Sequence, residues 1–155
     1  MSPDPETRLR ELGLELPAVP EPGGAYVPAT RTGNLIFTAG QLPFEAGELS
    51  TTGKVGDAVP VEEAYRAARL CALNALAAAA AEAGGLDRIR RIVKVTGFVA
   101  SIQGFNAQPQ VINGASELIG EVFGEVGLHA RSAVGVAELP LDAPVEVELV
   151  AELKA

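Results

Sequence analysis

Cysteine, histidine and tryptophan are almost missing from this chain, whose 155 residues include one Cys, one His and no Trp. The single cysteine, Cys71, excludes an intramolecular disulfide, and its alanine-rich surroundings mark a buried thiol behaving as a small hydrophobe. One histidine and one cysteine far apart in sequence do not make a zinc ligand set, so no metal is expected. Basic residues are also few, 12 Lys and Arg against 20 Asp and Glu, for a formal charge of −8. Phosphate contacts need clustered Lys and Arg, so this balance argues against nucleic acid as a partner. Long apolar runs are lacking. The alanine run at 77–81 lies in a segment with Arg66, Arg69, Asn74 and Glu82, too polar and too short to cross a bilayer. The N-terminus has neither the basic start nor the apolar stretch of a secretory signal, and a cytoplasmic protein without membrane contact is expected. The glycine patterns of nucleotide binding, H-E-x-x-H and C-x-x-C are all missing.

What is present reads as one folded domain with an arm. Hydrophobic residues make up 48% and charged residues 21% of a chain of ordinary single-domain length. Residues 1–24 read as the arm: a short amphipathic helix from Pro5 closed by Gly13, then a Pro- and Gly-rich connector. Residues 25–155 read as a single α+β domain. Strands at 25–31 and 35–39 form a hairpin through Thr32-Gly33-Asn34, and a further short strand lies near Leu49. Pro60 opens a long alanine-dominated helix with Glu62 and Glu63 near its start, and Gly84-Gly85 stops it. A strand at 92–100, a second main helix at 109–124 and a closing hairpin of strands at 132–137 and 145–153 complete the order. Two helices on one face of a mixed sheet bury such a set economically and leave the other face for a partner.

In the last strand Val145, Val147, Leu149, Ala151 and Leu153 alternate with Glu146, Glu148, Val150 and Glu152. The apolar set should face the helices and the acidic set the open side, with Ala133 and Gly135 expected on that open side too. Three residues could carry chemistry. Arg131 offers a two-pronged donor fork suited to a carboxylate, although a solvated or ion-paired arginine would look the same. Glu146, across the expected turn, could place a water and move a proton. A bulge or a particular turn is needed for these two to face the same way. His129 has no carboxylate or nucleophile at a diagnostic spacing; it counts as a pocket candidate, though a lone loop histidine is more often a bystander.

Three stretches, in order, carry a resemblance. The run Arg131-Ser132-Ala133-Val134-Gly135-Val136-Ala137-Glu138-Leu139-Pro140 with Val145-Glu146-Val147-Glu148 resembles the C-terminal signature of the Rid/YjgF family, also labelled endoribonuclease L-PSP. The segment from Gly33-Asn34-Leu35 to Gln41-Leu42-Pro43 is similar to its N-terminal signature, and Val93-Lys94-Val95-Thr96-Gly97-Phe98-Val99 to its central strand. The resemblance implies a chorismate-mutase-like fold, a homotrimer with its sheets packed inward, and pockets between subunits. It implies cofactor-free hydrolysis of a small 2-imino or enamine carboxylic acid, such as 2-aminoacrylate, to a 2-ketoacid and ammonia. On the matching positions Arg131 would grip the carboxylate, Glu146 would help place the water, and Tyr26 and Asn113 would line the pocket. The Ala133 backbone would meet the substrate nitrogen. Ala39 stands where many members carry serine, and His129 where proline is frequent. Two other readings fit the same scaffold: a regulatory trimer that binds a small carboxylate without turnover, and a ribonuclease, which the acidic charge disfavours.

Overall fold

A computed structural model describes residues 3–155. Its elements are α1 (Pro5–Glu11), β1 (Ala29–Thr32), β2 (Leu35–Thr38), β3 (Phe44–Glu45), β4 (Glu48–Leu49), α2 (Val61–Ala83), β5 (Ile89–Ala100), α3 (Gln108–Phe123), β6 (Ala130–Val136) and β7 (Val145–Leu153). Asp4 caps α1, its carboxylate accepting from the Thr7 N–H at 2.8 Å. The α2 helix follows Pro60, places Glu62 and Glu63 in its first turn and ends at Gly84, whose φ of 87° closes it.

The main sheet has the order β1-β2-β7-β5-β6, and β3 pairs with β4 in a separate ribbon. Every pairing in the main sheet is antiparallel except β5 with β6. A parallel pair needs a crossover, and α3 supplies it. The expected closing hairpin is therefore not one. β7 lies between β2 and β5, and β6 lies on the far side of β5. Two apolar runs around a proline-bearing turn look alike whether they pair with each other or flank a third strand. Alternation fixes the face of a strand, not its neighbour.

Three boundaries also differ from expectation. β1 starts at Ala29 because Pro28 has no N–H to give the ladder, leaving Tyr26 and Val27 outside it and exposed. β5 starts at Ile89, and two register shifts within it leave Arg90 and Val93 without a partner in β7, while Arg91 pairs with Glu152. β6 starts at Ala130, so Arg131 belongs to a strand.

Both main helices cover one face of the sheet, and small residues let them come close. Gly114 of α3 sits where any Cβ would collide with the Tyr65 carbonyl of α2, and Gly97 of β5 has Ile112 of α3 in the place of a side chain. Cys71 is fully buried, its thiol directed at the Val145 carbonyl at 3.5 Å. In β7 Val145, Val147, Leu149, Ala151 and Leu153 are buried as the alternation requires, while Glu146, Glu148, Val150 and Glu152 are not. Burial of each Val or Leu among them contributes roughly 1.5–3 kcal/mol.

The face of β6 corrects another expectation. Ala133 pairs with Gly97 and Gly135 with Val99, in rows that continue to the buried Val147 and Val145. Ala133 and Gly135 thus face the helices. The open face instead carries Ser132 and Val134, in rows with Glu148 and Glu146. Phe37 and Val134 remain more than two-fifths exposed, at 42% and 43%. No helix among the described residues is long and apolar enough to cross a membrane.

Candidate active site

Arg131 lies opposite Val95, in the row that leads to Leu149, and so points to the helix side of the sheet. Because β6 is the outermost strand, its long side chain reaches past the sheet to α3. There Nη1 donates to Asn113 Oδ1 at 2.8 Å and to Ser116 Oγ at 3.2 Å, and Nη2 donates to the Pro109 carbonyl at 3.4 Å. Residues 109, 113 and 116 recur at helical spacing and form one face of α3. Among the described residues Arg131 forms no ion pair. A guanidinium has five N–H donors. Nε has no acceptor among the described residues, and Nε with Nη2 forms the side of a guanidinium that can take a carboxylate in two-pronged fashion.

His129 immediately precedes β6 and joins the same cluster. Its Nε2 lies 2.9 Å from Ser116 Oγ and its Nδ1 lies 2.6 Å from the Gly127 carbonyl. Both ring nitrogens are therefore engaged within the protein. Ala133, two residues beyond Arg131, shares its side of β6 and is partly buried against the core.

Glu146 is elsewhere. Its row runs through Phe98 to Val134 on the open face, opposite to the side that Arg131 takes. Strand spacing and rise put the two positions roughly 14 Å apart along the sheet. Glu146 is half-buried and borders a cavity of about 360 Å³ shared with Tyr26, Gly40, Leu42 and Leu141, and closed on one side by residues 20–23 of the arm. Gly40 makes room for the Glu146 carboxylate, which a Cβ at this position would push aside. Burial holds the Glu146 carboxyl above its ordinary pKa, and the nearby charge of Glu148 adds to the effect. Tyr26 is half exposed, and its hydroxyl accepts the Gly23 N–H at 3.2 Å. Ala39 precedes Gly40 and donates its N–H to the Pro28 carbonyl at 2.8 Å, without lining the cavity.

The candidate residues thus fall into two separate groups within one chain. Arg131, Asn113, Ala133 and His129 gather at one edge of the sheet; Glu146 and Tyr26 meet in a cavity on the other face. Sequence reasoning passed over Ser116 and Gly40. The spacing of Asn113 and Ser116 on one helix was the available signal for the first. Nothing in the sequence marked the second as touching a carboxylate. Among the described residues no group of three His, Cys, Asp or Glu is arranged to hold a metal ion. Cys71 is sealed in the core, where burial pushes its pKa well up and keeps it from acting as a nucleophile.

Residues 6–153 match the family described as "YjgF/chorismate mutase-like, putative endoribonuclease". The chain belongs to the YjgF family. The match begins within α1 and so takes in the arm. Protein TCP17 of Trypanosoma cruzi is 46% identical over 146 residues, covering 94% of this YjgF-family chain and 91% of its own length. An Escherichia coli K12 protein named 2-iminobutanoate/2-iminopropanoate deaminase is 35% identical over 130 residues, covering 83% and 87%. The crystal structure of Atu1372 from Agrobacterium tumefaciens, described as of unknown function, is 51% identical with a TM-score of 0.89, covering 97% and 94%.

Proposed function

We propose that this chain hydrolyses a small 2-imino or enamine carboxylic acid, such as 2-aminoacrylate, to the 2-ketoacid and ammonia. The pocket forms between copies of a homotrimer whose open sheet faces pack inward. The observation that carries this reading is the Arg131 guanidinium, held by three neutral acceptors, with no carboxylate of its own and with Nε unengaged among the described residues. A fixed, uncompensated cation of this kind is built for an anion from outside. The two groups then explain each other. Arg131 of one copy holds the substrate carboxylate, and Glu146 of another faces the imine carbon.

The chemistry needs no further group. An enamine first takes a proton at its terminal carbon to become the imine. Glu146 accepts a proton from a water as the water oxygen bonds to the imine carbon, and the C=N π electrons move to nitrogen, which is protonated. In the resulting carbinolamine the hydroxyl proton passes, through Glu146, to the amine nitrogen; the carbonyl forms as the C–N bond breaks, and ammonia leaves. Water is consumed and nothing is oxidised. Positioning and charge neutralisation supply the acceleration, and the raised pKa of Glu146 brings its proton exchange nearer neutral pH. The name of the Escherichia coli relative supports the same substrate class.

Arg131→Ala tests the reading. With threonine dehydratase or an amino-acid oxidase generating imines in the assay, kcat/KM should fall about ten- to a hundredfold, the worth of a charge-assisted hydrogen bond. Hydrolysis near the wild-type rate by a variant of unchanged solution mass would refute it.

A further inference from the structure

Each proton in the cluster around His129 can be assigned from one fixed acceptor. The Gly127 carbonyl only accepts, so the ring nitrogen 2.6 Å from it, Nδ1, carries a hydrogen. The opposite tautomer would set two lone pairs against each other. In the neutral ring Nε2 is then an acceptor, and its partner at 2.9 Å, the Ser116 hydroxyl, donates to it. With its hydrogen committed to the ring, Ser116 Oγ can present only lone pairs to Arg131, and Nη1 donates to it at 3.2 Å. The order is Arg131 to Ser116 to His129 to a backbone carbonyl, all donating in one direction.

We infer that His129 is a positioning residue: acting through Ser116, it fixes the rotation of the Arg131 guanidinium and so the direction of its Nε and Nη2 side, without itself touching substrate. The fold supplies what this needs. His129 and Arg131 alternate along an extended segment and so project to the same side. Ser116 is two turns beyond Pro109 on α3, so the relay and the carbonyl that holds Nη2 grip the guanidinium from opposite ends. Without His129 the Ser116 hydroxyl is free to rotate, and it can turn its own hydrogen toward the cation. Nη1 then keeps Asn113 and Nη2 the Pro109 carbonyl, so the planar group loses one of its three supports and its orientation is less narrowly set. The ring thus serves as a fixed acceptor for the serine, and its two engaged nitrogens leave none for a ligand.

This inference rests on reading Arg131 as the carboxylate anchor, and the experiment separates the two. The full-length wild type and the variants Ser116→Ala, His129→Ala, His129→Gln, the Ser116→Ala/His129→Ala double and Arg131→Ala are titrated with 2-oxobutanoate by calorimetry. KM and kcat are measured in parallel on 2-iminobutanoate. Each single alanine variant of the relay should weaken 2-oxobutanoate binding about three- to tenfold, the worth of one neutral hydrogen bond, and raise KM in proportion with kcat little changed. The double variant should be no weaker than either single one, because both remove the same support. His129→Gln should recover most of the loss, since its amide oxygen can accept the Ser116 hydroxyl. Wild-type affinity in both single variants, additive losses in the double, or a glutamine variant no better than alanine would overturn the relay while Arg131→Ala still binds poorly. Unchanged binding in Arg131→Ala would overturn the anchor and the relay together.

Discussion

Glu146 shows how one residue's surroundings set both its chemistry and its cost. Half-burial and the neighbouring Glu148 raise its pKa above the ordinary 4.5. As the base it must be ionised, so activity is lost as pH falls through the raised value, and the acid limb of kcat/KM should lie above the range of a free glutamate. Glu148→Gln removes the secondary repulsion, and the limb should move to lower pH. The linkage has a definite sign. Below the unfolded pKa both states are protonated and Glu146 costs nothing. The cost of ionising it in the fold grows as pH rises toward the raised value and is complete above it. Glu146→Gln should therefore melt at a higher temperature than the wild type near neutral pH, with the difference vanishing in acid, while turnover is lost. Thermal scans across pH check the first point and the imine assay the second. Legibility at this scale was uneven. Arg131 and Glu146 stood out by residue type, but the side Arg131 takes depends on its lying opposite Val95 in a parallel ladder that the sequence did not announce, while Glu146 lies opposite Phe98 in an antiparallel one.

Elements were easier to read where local chemistry fixes them. Pro60 and Gly84 bound α2, and Gly13, at φ 74°, lies just beyond the end of α1. Strict alternation gave β7 its buried face. Neighbours within the sheet were not legible, because a crossover helix and a hairpin leave the same periodicity in the strands they join. Nor was the role of Asn74 visible, a polar residue in the middle of an alanine-rich helix. It is 2% exposed, and its amide nitrogen donates to the Leu42 and Phe44 carbonyls at 3.0 Å each. These two residues line the Glu146 cavity, so α2 pins one wall of it through a single side chain. Asn74→Ala leaves two inward-facing carbonyls without that partner and should cost about 1–3 kcal/mol in denaturant titrations. An unchanged midpoint would mean that water or a shifted loop replaces the amide.

At the scale of the whole molecule, the sheet itself decides how the site can be built. Its two layers, helices on one side of the sheet and an open face on the other, put Arg131 and Glu146 on opposite faces of the same chain. No side-chain rotation brings them together. The open face carries exposed Phe37 and Val134 beside the acidic row, a mixture that suits contact with another copy better than contact with water. A site shared between copies has a consequence that a site within one chain does not. Alone, Arg131→Ala should keep at most about a tenth of wild-type activity, having lost the anchor, and Glu146→Gln should be inactive, having lost the base. When the two are unfolded together in equal amounts and refolded, a pocket that draws its arginine from a Glu146→Gln copy and its glutamate from an Arg131→Ala copy is intact. In any closed ring with random mixing about a quarter of the pockets meet that condition. The refolded mixture should regain about a quarter of wild-type activity, while Glu146→Gln refolded alone regains none and Arg131→Ala no more than its residual, about a tenth. A mixture that stays inactive, although mixed assemblies are shown to form, would place both residues in the service of one chain and refute the shared pocket.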